Sequence, residues 1–270
     1  MSARLWLLGA GNMGGAMLRG WLVSGTRPDE IAIVDPYATD VPSGVTHYLE
    51  FPQGGSPDAV VVAVKPQQLS ALSTAYKERM APPRLLLSVL AGVETPTLAE
   101  GFGATHVVRA MPNLPAAIGQ GATVLYCGSD DPSVRAEAVA LMGPLGIVEW
   151  IDDELLFDAV TALSGSGPGY VFRFIEALSE AGARLGLPID LAGRLAAATV
   201  RGAAMMAERS EVAPATLADR VASPGGTTRE GLNVLDENEA MKKLVQRALD
   251  AAARRSAELA AIARGQSAGS

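Results

Sequence analysis

The chain has 270 residues, 49% of them apolar, and a formal net charge of -7. That length exceeds a usual single domain, the apolar share is enough for a real core, and the acidic balance argues against nucleic acid or an anionic membrane as the main partner. No run reaches the roughly 18 uninterrupted apolar residues of a membrane span, and the single Cys127 rules out an intrachain disulfide and fits a reduced, cytoplasmic setting.

The elements follow in chain order. "RLWLL" at 4–8 is a short apolar run that ends in glycines without a small-residue cleavage site, so it predicts a strand and not a signal peptide. After "GAGNMGGAM", the residues Met13, Met17, Leu18, Trp21 and Leu22 share a helical face. Buried-strand patterns recur at 31–35, 58–64, 84–90, 104–111, 122–127 and 146–150. A helix is predicted to open at Pro66 and an Ala-rich one at 132–142. The stretch between Asp35 and Asp58 is rich in Pro and Gly, so a helix there is short or missing. Strands without clean alternation, separated by helices, predict a mostly parallel sheet covered on both faces.

Gly9, Gly11 and Gly14 give G-x-G-x-x-G at the first strand-to-helix turn. Gly9 permits the tight turn, Gly11 lets backbone approach a pyrophosphate, and Gly14 allows close helix-on-strand packing. The helix start, with Ala10, Asn12 and Met13 around it, then offers N–H groups to phosphates. The spacing alone is weak in a glycine-rich chain. It gains weight from the strand before it, the helix after it, and Asp35 at the end of the second strand. A carboxylate there suits the ribose hydroxyls of NAD and repels the extra phosphate of NADP. "PYATD" after it holds no Arg or Lys, so the cofactor read is NAD(P)H with a lean to NADH.

Beyond "DDE" at 152–154 the pattern turns helical. Leu155, Leu156, Ala159 and Val160 suggest a helix interrupted by "SGSGPG" at 164–169; Val171, Phe174, Ile175, Leu178, Ala181 and Leu185 then repeat at helical steps, and Leu191, Leu195, Ala198, Gly202 and Met205 do so after Pro188. A last helix is expected over about 237–262, with "RGQSAGS" as a frayed tail. These helices are apolar enough to need a cover, which either the first domain or a second subunit would supply. The two histidines, His47 and His106, have no partner at metal spacing, so no metal is expected. "RVASPGGTTREGL" at 220–232 breaks the helical half with turn chemistry. It is either a plain helix connection or a place where backbone N–H groups stay free for an anion.

Four stretches, "GAGNMG" (9–14), "DAVVVAVKPQ" (58–67), "VRAMPNLPAAIGQGAT" (107–123) and "DAVTALSGSGPGYVF" (158–172) with "VASPGGTTREGL" (221–232), together resemble the pyrroline-5-carboxylate reductase family over essentially the whole chain. The resemblance implies an α/β chain with an N-terminal Rossmann-type dinucleotide-binding domain, 1–152, and a C-terminal all-α dimerisation and substrate domain, 153–270. It implies an interleaved homodimer, in some members a decamer, and reduction of the cyclic imine to L-proline. The turns Ala63, Val64, Lys65, Pro66 to Gln67 and Ala110 to Asn113 would lie near the ribose and nicotinamide, and the substrate where the domains meet. Its carboxylate would rest on Ser223, Gly225, Gly226, Thr227 and Thr228, with the ring nitrogen near Thr228, the candidate for a catalytic role. Lys65 is otherwise a surface lysine, Asn113 a backbone cap, and Glu154 a weaker candidate for lining the substrate site.

Three positions depart from the family pattern. Leu114 stands where Thr is common, Gly169 where Ala is common, and Arg220 where an amide side chain is common. Other readings are weighed, and a related reductase acting on a cyclic imine of different ring size stays open. A hydroxy-acid dehydrogenase of similar build would need a lysine donor in the second domain, but Lys242 and Lys243, the only lysines after Lys77, fall late in the last helix. A non-catalytic dinucleotide sensor would have no need of an intact "SPGGTT" loop.

Overall fold

The computed structural model describes residues 3–55 and 57–263; the expected tail at 264–270 lies outside the described residues. Packing gathers the described residues into two units. One runs up to Ser166 and takes in those from Ala252 onward, and the other is Gly167–Ala251. The expected boundary at 152/153 follows the end of the last strand, whereas packing keeps the following segment, up to Ser166, with the sheet.

The first unit is built on β1 (Leu5–Leu8), β2 (Ile31–Val34), β3 (Thr46–Tyr48), β4 (Ala59–Val62), β5 (Leu85–Ser88), β6 (His106–Met111), β7 (Gly121–Cys127) and β8 (Gly146–Trp150). They form one eight-stranded sheet in the order β3-β2-β1-β4-β5-β6-β7-β8, in which β1 pairs in parallel with both β2 and β4. In β1, β2 and β4 every residue is buried, because helices cover both faces and leave no reason for polar alternation. Successive residues feed opposite clusters. Leu5, Leu7, Ile31, Ile33 and Val61 pack with Met17, Leu18 and Trp21 of α1 (Asn12–Val23). Trp6, Leu8, Val34, Val60 and Val62 pack with Tyr76 of α2 (Leu69–Arg79) and with Leu98 and Phe102 of α3 (Thr95–Phe102). Each such side chain contributes about 1.5–3 kcal/mol by leaving water.

The sheet is not wholly parallel. β7 runs antiparallel to β6, since the segment between them is too short for the dozen or more residues of a parallel crossover. β8 then returns parallel to β7 through α4 (Pro132–Met142), capped by Asp131, whose side chain accepts from Ser133 N at 2.9 Å. Among the described residues, no helix occupies the Pro- and Gly-rich stretch after Asp35. Instead it holds β3, which the sequence pattern does not announce because this edge strand is only three residues long and partly exposed.

Beyond β8, α5 (Phe157–Val160) is interrupted where "SGSGPG" is expected to interrupt it, and a bend at Ser166 precedes the next helix. Before the bend it widens into a π-turn, Thr161–Gly165, and α6 (Gly167–Arg184) begins after it. The second unit continues with α7 (Ile189–Glu208), α8 (Pro214–Val221) and α9 (Thr227–Asp236). The last helix, α10 (Ala240–Ala263), starts later than 237 because Asn238 and Glu239 adopt positive φ values of 51° and 58°.

Among the described residues, Gly167–Ala251 buries only Ala192, Ala196 and Ala222, while Phe172, Met206 and Val234 stand 57%, 63% and 68% exposed. A helical unit with so much uncovered apolar surface needs a partner surface. Its stability is therefore expected to depend on protein concentration: the thermal midpoint should rise over about a 100-fold concentration range by calorimetry. A midpoint independent of concentration would count against a partner-covered face.

Candidate functional site

The glycine turn, Asp35 and the Ala63–Pro66 turn lie at the carboxyl ends of β1, β2 and β4, where the strand order reverses, the usual place for a ligand in such a sheet. The chain leaves β1 through Gly9 and Ala10 and enters α1 after Gly11. Gly9 has φ 93°, and a Cβ there would lie 2.9 Å from both Ala63 O and Val64 Cγ1. At Gly14 a Cβ would come within 2.1 Å of Gly9 O, so the helix can sit this close to the strand only without a side chain. Around Gly11 the added atom would meet nothing within 4 Å, leaving the open space that backbone approach to a pyrophosphate requires. The first-turn amides of Asn12, Met13 and Gly14 have no intrahelical acceptor by helix geometry, and together with the helix dipole they suit phosphate oxygens. These residues therefore fit a dinucleotide.

Asp35 follows β2 and does more than the sequence reading assigned to it. Its Oδ2 accepts from Ala10 N at 2.7 Å, and its Oδ1 from Tyr37 N at 2.8 Å. The amide of Ala10 is thus committed to Asp35, and the carboxylate fastens the glycine turn to the end of β2. His47 Nε2 lies 2.7 Å from the Asp35 carbonyl oxygen, tying β3 to the same corner. Each carboxylate oxygen keeps a second lone-pair direction for a further donor.

The turn after β4 is fixed from β1, with Ala63 N donating to Leu8 O at 2.8 Å. Lys65 is exposed, and its N–H donates to Gln68 Oε1 at 3.1 Å as Pro66 opens the short turn into α2. Asn113, after β6, is buried and fully engaged. Its Oδ1 accepts from Ala122 N at 2.9 Å and its Nδ2 donates to Ser164 O and Oγ, both at 3.3 Å. It thereby fastens the π-turn to the sheet. Leu114, next in the chain, is exposed.

Glu154 sits at a partly buried junction within the same unit. Oε1 accepts from Arg109 Nη1 at 2.8 Å and from Thr95 N at 3.1 Å, and Oε2 accepts from Thr95 Oγ1 at 2.9 Å. Arg109, nearly buried in the middle of β6, also stacks over the Phe157 ring at 4.1 Å. The sequence reading missed Arg109 and Thr95. The signal for Arg109 was an arginine inside an apolar strand pattern, since a buried charge demands a counter-charge.

In the second unit, Ser223, Pro224, Gly225 and Gly226 form a β-turn of the Pro-Gly type, with Gly225 at φ 71° and Gly226 N donating to Ser223 O at 3.0 Å. Gly226 is among the residues expected at the carboxylate, but the turn consumes its N–H. Gly226 caps α9, and Glu230 N is the first amide to bond back, to Gly226 O. The amides of Thr227, Thr228 and Arg229 are left without helical acceptors, and the Ser223 and Thr228 side chains stand exposed beside them. Among the described residues no cluster of His, Cys, Asp or Glu is arranged to hold a metal, and no helix is long and apolar enough to cross a membrane.

Comparison with known proteins bears on this arrangement. The family model for pyrroline-5-carboxylate reductase dimerisation matches residues 154–259, and that for NADP oxidoreductase, coenzyme F420-dependent, matches residues 4–92. A pyrroline-5-carboxylate reductase of Pseudomonas aeruginosa is 39% identical, covering 95% of this chain and 97% of its own. The chain belongs to the pyrroline-5-carboxylate reductase family. The solved pyrroline-5-carboxylate reductase of Coxiella burnetii superposes with a TM-score of 0.85 at 34% identity, covering 96% of this chain and 99% of its own. The Plasmodium falciparum pyrroline carboxylate reductase, solved with NADP bound, gives 0.80 at 27% identity over 96% and 98%. Membership makes this chain a nicotinamide-dependent oxidoreductase with a Rossmann-type domain and a helical dimerisation domain.

The junction at Glu154 generates a stability prediction. Glu154→Ala strands Arg109 in the sheet without a counter-charge and should cost about 3–5 kcal/mol in denaturant unfolding. Glu154→Gln keeps an acceptor and should cost less. Equal, small effects of both would show that the junction contributes little.

Proposed function

We propose that the chain reduces 1-pyrroline-5-carboxylate to L-proline, with the cofactor at the glycine turn after β1 and the substrate carboxylate on the loop from Ser223 to Thr228. The observation that carries this reading is that loop: a tight turn followed by three free amides at the start of a helix, in a member of this family. Such amides with the positive helix end favour a carboxylate. The match of the dimerisation model to 154–259 supports a functional division at 152/153 and a homodimer through the helical domain, with decameric assembly as a further step. The lone Cys127 thiol, kept reduced, suits the cytoplasm.

The reaction asks for position and electrostatics more than for a strong nucleophile. A cyclic imine accepts hydride at carbon far more readily when its nitrogen is protonated. The reduced nicotinamide, when bound, supplies the hydride. Gly9, Ala10, Gly11, Asn12, Met13 and Gly14 hold the pyrophosphate end. The turns from Ala63 to Pro66 and at Asn113 shape the nicotinamide side, with Lys65 facing the nucleotide. Thr227, Thr228 and the Ser223 hydroxyl hold the carboxylate, Gly225 and Gly226 keep the loop free of side chains, and the Thr228 hydroxyl orients the ring nitrogen. Since a Thr hydroxyl is a weak acid, the proton arrives with the substrate or from water. Glu154, with both oxygens engaged by Thr95 and Arg109, serves to hold the fold of the first unit.

Asp35 directs the cofactor choice to NADH. Its carboxylate stays at the end of β2 under two backbone N–H bonds, and no Arg or Lys stands in Pro36–Asp40 to accept a 2′-phosphate. Loss of absorbance at 340 nm with pyrroline-5-carboxylate should be faster with NADH than with NADPH. A preference for NADPH would discard the Asp35 argument and keep the reductase. No turnover with either, from protein that binds dinucleotide, would leave a sensor or another imine as substrate. Thr228→Ala should lower kcat/KM by about 100-fold or more through loss of a positioned hydrogen bond. Unchanged kinetics in a folded variant would remove Thr228 from the mechanism.

A further inference from the structure

The loop before α9 has little to hold it. Ser223, Pro224, Gly225, Thr227 and Thr228 are exposed, and Pro-Gly-Gly contributes no side chain that packs. Besides the turn bond from Gly226 N to Ser223 O, one side chain spans it. Arg229, in the first turn of α9, reaches back so that its Nη2 donates to Asp219 Oδ1 at 2.8 Å and contacts Ala222 O at 3.5 Å. Asp219 lies in the last turn of α8, and Ala222 is the buried residue from which the loop departs. A single guanidinium thus ties together the end of one helix, the base of the loop and the start of the next helix. The planar fork is suited to this, since it engages a carboxylate and a carbonyl from one rigid group.

We infer that Arg229 is a positioning residue for the substrate carboxylate: paired with Asp219, it holds the loop from Ser223 to Thr228 in the shape that presents its free amides. The inference rests on the reading of this loop given under Proposed function. Without the tie, the loop would have to be ordered when substrate binds, and affinity would fall by that cost. The carboxylate is present in ground state and transition state alike, so the loss should appear in KM and not in kcat. The competing assignment makes the Arg229 guanidinium itself a ligand of the substrate carboxylate, and the two differ in sign at Asp219. If Arg229 positions the loop, removing the Asp219 charge weakens substrate binding. If Arg229 binds substrate directly, removing the charge frees the guanidinium and strengthens it.

The test is steady-state kinetics of the full-length enzyme at saturating cofactor, with pyrroline-5-carboxylate and, as a probe lacking the carboxylate, 1-pyrroline. Arg229→Gln and Asp219→Asn should each raise KM for the carboxylated imine about 10-fold, with kcat changed by less than about 2-fold. Each should lower the preference for it over 1-pyrroline to a similar degree. The double variant should be no worse than either single one, because both remove the same tie. A lower KM in Asp219→Asn would overturn the inference in favour of direct contact. An equal loss on both substrates, or additive losses, would overturn it in favour of a general effect on folding. Should Arg229→Gln fail to fold by circular dichroism, Asp219→Asn and Arg229→Lys carry the same comparison, with Lys recovering part of the loss. A wild-type enzyme that does not prefer the carboxylated imine would instead overturn the assignment of the loop, and the inference with it.

Discussion

How closely α1 approaches the end of β1 governs the nucleotide end of this protein. Helix and strand meet at Gly14 and Gly9, where a Cβ on the helix would lie 2.1 Å from the strand's departing carbonyl oxygen. That contact aims the first-turn amides over the sheet edge and brings the turn after β4 against Gly9. It also places Ala10 N where Asp35 can accept from it. One side chain at position 14 would move all of these together. The site is a consequence of backbone proximity, and side chains serve mainly to keep the backbone where it is.

The same economy holds for the polar side chains. Several polar side chains near these motifs are already committed within the fold. Asp35 fastens a turn, Asn113 secures the π-turn to the sheet, Glu154 neutralises Arg109, and Arg229 is paired with Asp219. The N–H groups at the starts of α1 and α9, by contrast, have no helical acceptors. This suits hydride transfer to an imine, which needs anions held in place and a carbon correctly presented, not a nucleophile activated by a base.

The helical half is shaped by a different constraint. Among its described residues, Ala192, Ala196 and Ala222 are the buried positions, while large apolar residues such as Phe172, Met206 and Val234 are exposed. The family model for dimerisation matches this half of the chain.

Much of this was legible in the sequence. The strands after Arg4, Glu30 and Asp58 are apolar throughout, as a doubly covered parallel sheet favours, and Gly9, Gly11 and Gly14 fall where strand passes to helix. The "SPGGTT" stretch announced a turn, because Pro before Gly stores its conformation locally. Tertiary structure alone decided the rest. β3 is too short to carry a pattern, and the direction of β7 depends on the length of the connection before it. The partners of Asp35, Glu154 and Arg229 lie 25, 59 and 10 residues away along the chain in their respective hydrogen bonds. Sequence fixes which groups can bond at short range, through backbone preference and periodicity; which distant groups satisfy them is decided when the chain closes, because a buried charge or amide takes whatever partner the packing brings to it.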